Sequence, residues 1–360
     1  MTEPATAESL RSIGWLGDPA DALRELPAGC ALARVVAQHR SGYRVHDGTR
    51  ELAVQTPATL LRKGADPLSR PGVGDWLMFR RLPEPMIERV LPRRTALIRG
   101  AAGESRARQL IAANVDVVFI VCGLDGDYNL RRIERYLVLT RSSGAQPVVV
   151  LTKDDLSPTN AEQLIEVTTL SGPDTPVLAV NARTLEAGRA LLAFLPAGTT
   201  AVLVGSSGAG KSTLTNSLLG IDRQATAEVR VHDSRGRHTT THRALLPLPS
   251  GACLIDTPGM RELKLTGDED VAAATFDDID ALLGTCRFSD CGHGNEPGCA
   301  IRAALESGAV PAERWAHYLK LSEEAAAASA SLAQRQDDKR NEKVANRALG
   351  KRLVEKYGHR

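Results

Sequence analysis

The segment TTAVLVGSSGAGKST at residues 199–213 constrains the fold of this chain more than any other. Its apolar run ends at a glycine, and the pattern G-x-x-x-x-G-K-S follows. This order predicts a P-loop between a strand and a helix, because glycine lets backbone N–H groups approach a phosphate chain closely. The predicted nucleotide-binding residues of the loop are Gly205, Ser206, Ser207, Gly208, Ala209, Gly210, Lys211, Ser212 and Thr213.

Two residues of this loop have predicted roles beyond wrapping the phosphates. Lys211 supplies positive charge to the β and γ phosphates. Ser212 offers a hydroxyl to Mg²⁺ at the amino end of a predicted helix over residues 211–219, where the helix dipole also favours anions. A glycine-rich turn that binds no ligand is the alternative interpretation.

A second motif on the phosphate side is D-x-x-G at residues 256–259, directly after an apolar strand. In P-loop hydrolases a carboxylate at this place steadies Mg²⁺, and the glycine N–H meets the γ phosphate. Asp256 and Gly259 are therefore predicted to bind there. A simple turn that ends a strand is the alternative.

Base selection is predicted from Thr152, Lys153, Asp154 and Asp155, which fit [NT]-K-x-D at the end of the strand PVVVLT. The Asp155 carboxylate can accept two hydrogen bonds from N1 and N2 of guanine, whereas adenine offers no matching donor pair. The Lys153 stem can lie over the base, and Thr152 can connect this loop to the P-loop. A helix cap is the alternative role for this run. A following strand predicts a weaker contact, with Ala182 against the base oxygen.

The order of these motifs is unusual, because the guanine loops precede the P-loop. From residue 115 the chain alternates apolar strands with amphipathic helices, which predicts a mostly parallel sheet covered on both faces. A binding site depends on which strand ends are neighbours and not on where the chain is cut. A circularly permuted sheet can therefore rebuild the pocket of an ordinary GTPase.

Short alternating segments punctuated by glycines fill residues 30–94 and predict a small β-barrel of the OB-fold type. Such barrels often bind nucleic acid by stacking bases on aromatic side chains. Tyr43, Trp76 and Phe79 are the aromatics here, and alternation predicts that several point inward. We therefore expect contacts to phosphate and sugar. A barrel that only packs against its neighbour is the alternative.

Cys286, Cys291, His293 and Cys299 form the pattern C-x4-C-x-H-x5-C. Three thiolates and one imidazole make a closed tetrahedral set that suits one structural Zn²⁺. Free cysteines beside a surface histidine are the alternative. The remaining three cysteines lie in apolar strands and are predicted to be buried small residues.

The formal net charge is only +2, so a polyanion must be met by local basic patches. The tail from residue 335 onward is one such patch, and the arginines between residues 93 and 108 form another. The arginines of the second basic patch are Arg93, Arg94, Arg99, Arg106 and Arg108.

No apolar run has the length of a membrane span and the start is acidic, so we expect a cytoplasmic protein without a membrane partner.

The motifs T-K-D-D, G-S-S-G-A-G-K-S-T, G-R-H-T-T-T at residues 236–241 and D-T-P-G resemble those of the ribosome small subunit-dependent GTPase A family (RsgA, also called YjeQ). The cysteine cluster adds to the resemblance, which covers roughly residues 29–320. It implies a multidomain α/β protein with an N-terminal OB-fold barrel, a circularly permuted P-loop GTPase domain and a C-terminal zinc-binding helical module.

This resemblance also implies a function. It implies a monomeric GTPase that binds the small (30S) ribosomal subunit and 16S rRNA, but not DNA, and acts late in subunit maturation. GTP is hydrolysed to GDP and phosphate, and the subunit stimulates the activity. The predicted domains are an extension (1–28), the barrel (29–94), a linker (95–112), the GTPase domain (113–265), the zinc domain (266–335) and a basic tail (336–360).

The catalytic residues are less constrained. By the resemblance, Thr240 joins Mg²⁺ and the γ phosphate, with Thr239 and Thr241 as alternatives, and Lys211 acts on the β and γ phosphates. Met260 follows D-T-P-G where many GTPases have a water-orienting glutamine, and a thioether cannot do that work. His238 is the nearest substitute by resemblance, and a solvent-exposed switch histidine is the alternative.

Two other functions stay open at this point. One is an RNA-binding protein with a nucleotide-dependent conformational switch and little catalysis of its own, which Met260 suggests. The other is a P-loop ATPase or small-molecule kinase, which the carboxylate of Asp155 disfavours.

Overall fold

In a computed structural model of the chain, the described residues are 5–39, 42–60, 66–100, 108–156, 159–220, 243–256, 265–266, 269–271, 275–330 and 334. The chain divides into two compact units, which are Met1–Arg99 with Ala107–Lys264, and Gly100–Arg106 with Leu265–Arg360. The predicted barrel and GTPase domain thus belong to one unit. The individual domain boundaries stay predictions.

The strands are β1 (Cys30–His39), β2 (Gly42–His46), β3 (Glu51–Val54), β4 (Trp76–Arg80), β5 (Met86–Val90), β6 (Ala96–Gly100), β7 (Arg108–Ala113), β8 (Val117–Gly123), β9 (Gln146–Thr152), β10 (Val177–Val180), β11 (Thr200–Gly205), β12 (Ala244–Pro247) and β13 (Cys253–Asp256). The helices of the same unit are α1 (Ala7–Arg11), α2 (Ala20–Arg24), α3 (Leu130–Ser142), α4 (Asn160–Ser171), α5 (Leu185–Leu192) and α6 (Lys211–Leu218), with a 3₁₀ turn at Pro67–Ser69.

The central sheet has the strand order β10-β9-β8-β11-β13-β12. Its first five strands are parallel, and β12 is antiparallel to β13. The strands β8 and β11 are buried along their whole length, as their near-continuous apolar sequences require. The predicted mostly parallel sheet is therefore confirmed.

The path of the chain through this sheet creates a topological switch point. From β8 the chain moves outward through β9 to β10, and it then returns to place β11 on the other side of β8. The connections that leave β8 and β11 therefore diverge. In open α/β sheets a ligand binds in the crevice that opens at such a point, outside the carboxyl ends of the strands.

The N-terminal strands form the predicted barrel. They are antiparallel in the order β3-β2-β1-β4-β5, and a parallel bridge between Gln55 and Met86 returns β5 to the end of β3. This is the connectivity of a five-stranded OB-fold. Tyr43, Trp76 and Phe79 are all buried, as the alternation of the strands predicts.

The barrel is continuous with the central sheet, because β1 also pairs with β12 at Ala37 and Ala244. Near this junction Arg34 of β1 is fully buried. Its guanidinium donates to the carbonyls of Ile13 (2.7 Å), Gly74 (3.2 Å) and Asn114 (3.2 Å).

The Arg34 guanidinium also lies 5.3 Å from the centroid of the Trp76 ring. Burial lowers the pKa of Arg34 to about 10, so the side chain is still cationic at neutral pH. One buried cation thus holds together the N-terminal segment, the barrel and the chain that enters the central sheet.

Two ranges differ from their predicted form. Residues 1–28 are rich in Ala, Glu and Pro, which predicts a poorly ordered extension in which residues 10–16 can dock locally; they include α1 and α2, and Leu10 and Ile13 do pack against Leu32 and Trp76. Helices of five residues leave too little periodicity to be seen in a sequence. The range predicted as a linker contains β6 and β7, which pair with each other.

Part of the predicted basic patch is used inside the protein. Arg93 donates to both carboxylate oxygens of the buried Asp75 (2.7 and 2.8 Å) and to the carbonyl of Leu68 (2.6 Å). Arg94 pairs with Asp116 at 2.9 Å. These arginines fix the loops that leave the barrel.

The second unit contains α7 (Asp277–Asp280), α8 (Ala300–Ser307) and a helix, α9, over residues 312–330. Its core includes the buried ring of Phe276, which meets the ring of Tyr318 edge to face at 5.5 Å. The Arg314 guanidinium lies 4.7 Å from the Phe276 centroid. Among the described residues of the whole chain, no helix has both the length and the apolar character that crossing a bilayer requires.

Arg34→Met should destabilise the first unit strongly, because the carbonyls of Ile13 and Asn114 lose this donor, whereas the carbonyl of Gly74 still accepts from the Asn114 amide (3.1 Å). We expect a loss of about 3 kcal/mol in the free energy of unfolding. Urea titration followed by tryptophan fluorescence measures it, since Trp15 and Trp76 lie in this region.

The matched control is Arg44→Met, which removes an exposed ion pair with Glu51 (3.1 Å) on the same barrel. That variant should lose less than about 1 kcal/mol. Equal losses in the two variants would show that the buried guanidinium has no special role.

Candidate nucleotide site and metal cluster

The P-loop leaves the central sheet at Gly205, the last residue of β11. Only glycine fits there, since φ is +146° and a Cβ would lie 2.1 Å from the carbonyl oxygen of Val121 on the neighbouring strand. Gly210, with φ +97°, then caps the start of α6 in a left-handed conformation. The loop can therefore turn tightly across the switch point and direct the free N–H groups of α6 towards it.

Lys211 extends back over the loop that precedes it. Its ammonium donates to the carbonyl oxygens of Gly205 (2.9 Å) and Ser206 (2.5 Å). The positive charge thus lies at the carboxyl end of β11, which is where a phosphate chain wrapped by the loop would need it.

The loop after β9 contacts the P-loop directly. The buried hydroxyl of Thr152 donates to the carbonyl of Ala209 at 2.6 Å. A Cβ built on Gly210 would lie 3.5 Å from Thr152 and 3.6 Å from the Cβ of Ala182, which follows β10. The two predicted guanine loops and the predicted phosphate loop are therefore neighbours, although they are distant in the sequence.

The rest of the T-K-D-D run lies at the same edge of the sheet. Lys153 has φ +62°, an uncommon conformation for a lysine. The carbonyl of Asp154 accepts a hydrogen bond from the Asn160 amide at 3.1 Å, which fixes the loop to the start of α4. Asp155 is exposed, so its carboxylate is accessible to a ligand.

The predicted magnesium ligands are partly described. Asp256 is exposed at the carboxyl end of β13, the neighbour of β11, and Ser212 is exposed in the first turn of α6. Hard oxygen atoms of this kind are the ligands that Mg²⁺ prefers. The other predicted phosphate-side residues, namely Thr240, His238 and Gly259, lie outside the described residues, as does Met260.

A further loop at this edge was not predicted from the sequence. Residues 124–129, which connect β8 to α3, carry Asp125 and Asp127. Asp125 forms an ion pair with Lys153 at 2.5 Å, and this hydrogen bond lowers the pKa of Asp125. Asp127 accepts a hydrogen bond from the Ser206 hydroxyl and pairs with Arg132 at 2.8 Å. The only sequence signal was the position of this loop after a buried strand.

In the second unit, the four predicted metal ligands converge. Their ligand atoms all lie within 4.8 Å of one another. Cys286 Sγ is 4.0 Å from Cys299 Sγ, and His293 Nδ1 is 3.5 and 3.6 Å from these two sulfurs. A tetrahedral Zn²⁺ requires sulfurs about 3.8 Å apart and a sulfur-to-nitrogen distance of about 3.5 Å. The Cys3His cluster is consistent with zinc.

Backbone donors at the start of α8 point at two of the cluster's sulfurs. The backbone N–H of Ala300, at the start of α8, donates to Cys286 Sγ at 3.4 Å and lowers the pKa of that thiol. Cys299 caps the same helix and accepts from the N–H of Arg302 at 3.4 Å. The ring of His293 meets Trp315 edge to face at 5.8 Å, which orients the imidazole.

Comparison with known proteins agrees with this geometry. The family described as RsgA GTPase matches residues 90–266. The small ribosomal subunit biogenesis GTPase RsgA of Xanthomonas axonopodis pv. citri is 53% identical over 335 residues, which is 91% of each chain. Its counterpart in Xanthomonas euvesicatoria pv. vesicatoria is 50% identical over 352 residues, covering 92% of this chain and 93% of that one.

Solved structures share the fold. YjeQ from Thermotoga maritima superposes with a TM-score of 0.60 over 82% of this chain and 98% of its own, at 24% identity. YloQ, a circularly permuted GTPase, gives 0.56 over 83% and 96%, at 21% identity. With a permuted sheet, a P-loop motif beside the T-K-D-D loop and relatives that match along nearly its whole length, this chain belongs to the RsgA family of small ribosomal subunit biogenesis GTPases.

Proposed function

We propose that this GTPase binds the small (30S) ribosomal subunit through 16S rRNA and acts late in its maturation, with GTP hydrolysis that the subunit stimulates. The observation that carries the proposal is the hydrogen bond from Thr152 to Ala209, which joins the guanine loop to the P-loop across a permuted sheet. The name of the Xanthomonas relatives supports the choice of partner.

In the proposed complex, the phosphates of GTP lie over the P-loop. Lys211 exchanges the carbonyls of Gly205 and Ser206 for oxygens of the β and γ phosphates. The ammonium then stabilises the negative charge that grows as the bond to the γ phosphorus breaks and water adds to it. The products are GDP and phosphate.

We propose that Asp155 recognises guanine by accepting from N1 and N2, with Ala182 against the base oxygen. Thr152 holds the two loops at a fixed separation, so the base and the phosphates are bound in one geometry. The site should therefore bind GTP in preference to ATP, because a carboxylate placed to accept from the two N–H donors of guanine loses both hydrogen bonds with adenine.

Mg²⁺ is proposed to bind Ser212, Thr240 and Asp256, and when bound it neutralises charge on the β and γ oxygens. The Gly259 N–H is proposed to meet the γ phosphate. His238 is proposed to position the attacking water by accepting its proton.

The Cys3His cluster is proposed to hold one structural Zn²⁺. Three thiolates and one imidazole leave no open position for catalysis. A segment as short as residues 266–335 supplies little core, so the metal contributes to its stability directly. We further propose a cytoplasmic monomer without a DNA or membrane partner, because the cytoplasm is where the proposed partner is assembled.

Adding 30S subunits should raise GTP turnover at least about tenfold, as expected when a partner completes a catalytic site. Lys211→Ala should abolish both the basal and the stimulated rate, because the charge facing the β and γ phosphates is lost. Release of phosphate at saturating GTP measures both rates.

Arg189→Ala is the matched control, since Arg189 is an exposed cation on α5. It should behave like the wild type. If subunits bind but do not raise turnover, the protein is instead an RNA-binding switch with little catalysis, and the proposed stimulation is wrong.

Asp155→Asn should weaken GTP binding at least about tenfold, because one acceptor for the guanine N–H groups becomes a donor. The same change should improve binding of XTP, whose base has a carbonyl where guanine has an amino group. Competition against labelled GDP measures both affinities. Asp174→Asn, at an exposed turn before β10, is the control and should bind as the wild type does. Unchanged selectivity in Asp155→Asn would exclude this residue from base recognition.

Cys286→Ser should lower the zinc content from about one ion per chain, since a hydroxyl is a poor replacement for a thiolate ligand. It should also lower the thermal midpoint of the second unit, seen in the fluorescence of Trp315 beside the cluster. Elemental analysis measures the zinc. Cys30→Ser, which changes a cysteine of the barrel, should keep the metal; full zinc in both variants would contradict the assignment.

A further inference from the structure

We propose that residues 124–129 form a bracing loop that positions both halves of the nucleotide site, with Asp125 holding the guanine loop and Asp127 holding the P-loop. Both residues are positioning residues, because they act on nucleotide-binding residues and not on the reacting atoms. The inference deepens the proposed function and rests on it.

The topology places the bracing loop where both motifs can be reached. It begins after Gly123, the end of β8, and β8 lies between β9 and β11. In the sheet registers, Gly123 is opposite Thr152 and Val121 is opposite Gly205. The starts of the bracing loop, the guanine loop and the P-loop therefore lie side by side at the switch point.

The arm towards the guanine loop is the ion pair between Asp125 and Lys153. Lys153 Nζ lies 2.5 Å from Asp125 Oδ2, and about one-third of each side chain is exposed. Gly123 leaves room for this contact, because a Cβ there would lie 2.6 Å from Asp125 Oδ1 and 3.3 Å from Lys153 Nζ, and the two side chains would have to shift. The backbone N–H of Leu124 also donates to the carbonyl of Thr152 at 2.8 Å.

The conformation of Lys153 explains why a brace is needed. Its φ of +62° is strained for a residue with a side chain, and such a conformation persists only when the surroundings impose it. The ion pair with Asp125 holds the ammonium end, and on the backbone side the Lys153 carbonyl accepts from the N–H of Leu156 at 3.0 Å. The lysine stem is thus fixed before a base arrives, which reduces the ordering required on binding.

The arm towards the P-loop is the hydrogen bond from Ser206 to Asp127. Arg132 pairs with the second oxygen of the same carboxylate at 2.8 Å, so its negative charge is balanced beside a phosphate site. Within the loop, Asp125 Oδ1 accepts from the N–H of Asp127 at 3.2 Å, and the Asp125 carbonyl accepts from the N–H of Tyr128 at 2.9 Å. The two arms are therefore parts of one short structure.

The two arms predict different dependence on the ligand. Asp125→Ala should weaken GMP, GDP and a non-hydrolysable GTP analogue by the same factor, about two- to fivefold, because all three carry the base. Asp127→Ala should weaken GDP and the GTP analogue but not GMP, which has no β phosphate. Competition against fluorescent GDP measures the three affinities.

Double-mutant cycles test the contacts themselves. The effect of Asp125→Ala should vanish in a Lys153→Ala background, and that of Asp127→Ala should shrink in a Ser206→Ala background. Loss of the Asp127 charge would act equally with or without the Ser206 hydroxyl, so the second cycle isolates the hydrogen bond. Asp125→Glu should restore part of the affinity, because the carboxylate is retained.

Tyr128→Phe is the matched control. It removes a hydrogen bond from the same loop to Glu166 of α4 (2.7 Å), away from both nucleotide motifs. Equal effects in Tyr128→Phe and Asp125→Ala, or additive effects in the cycles, would overturn the brace. If the wild type bound no guanine nucleotide, the proposed function would fail. If it bound tightly and Asp125→Ala were unchanged, only this inference would fail.

Discussion

The nucleotide site depends on strand register in the central sheet. β8 and β9 end opposite each other at Gly123 and Thr152, and β11 ends at Gly205 opposite Val121, so the Thr152 hydroxyl meets the Ala209 carbonyl and the loops that follow these strands share one crevice. Because β8 and β11 are buried on both faces, a slip of one residue would exchange every side chain between the two helical layers. Register is therefore fixed by the core, and the order in which the chain visits the strands has no effect on the site.

A second constraint is the buried cation of Arg34. It has three carbonyl acceptors and the face of an indole around it, and these come from the N-terminal segment, the barrel and Asn114, which lies between β7 and β8. Removing any one of these parts would leave a buried charge with too few partners. The N-terminal helices, the barrel and the sheet therefore fold as one unit and specify one another.

The sequence predicted the elements whose signal is local. The helix predicted over residues 211–219 is α6 (Lys211–Leu218), because it begins directly after the glycine of the P-loop motif, and the cysteine spacing alone identified the Cys3His cluster. Contacts made over long distances were missed. Arg93 was assigned to a basic patch although its charge is matched by the buried Asp75, and Asp125 resembled an ordinary turn residue until the fold placed it beside Lys153. Such partners are determined by topology, which composition does not encode.

The pairing of β1 with β12 at Ala37 and Ala244 has a mechanical consequence. A barrel on a flexible tether could take many orientations relative to the central sheet. Here the pairing of β1 with β12 joins the barrel to one end of the sheet that carries the P-loop, and the Arg34 guanidinium adds three hydrogen bonds near this junction. A partner that binds the barrel would therefore also fix the orientation of the nucleotide pocket, because the barrel and the pocket belong to one unit.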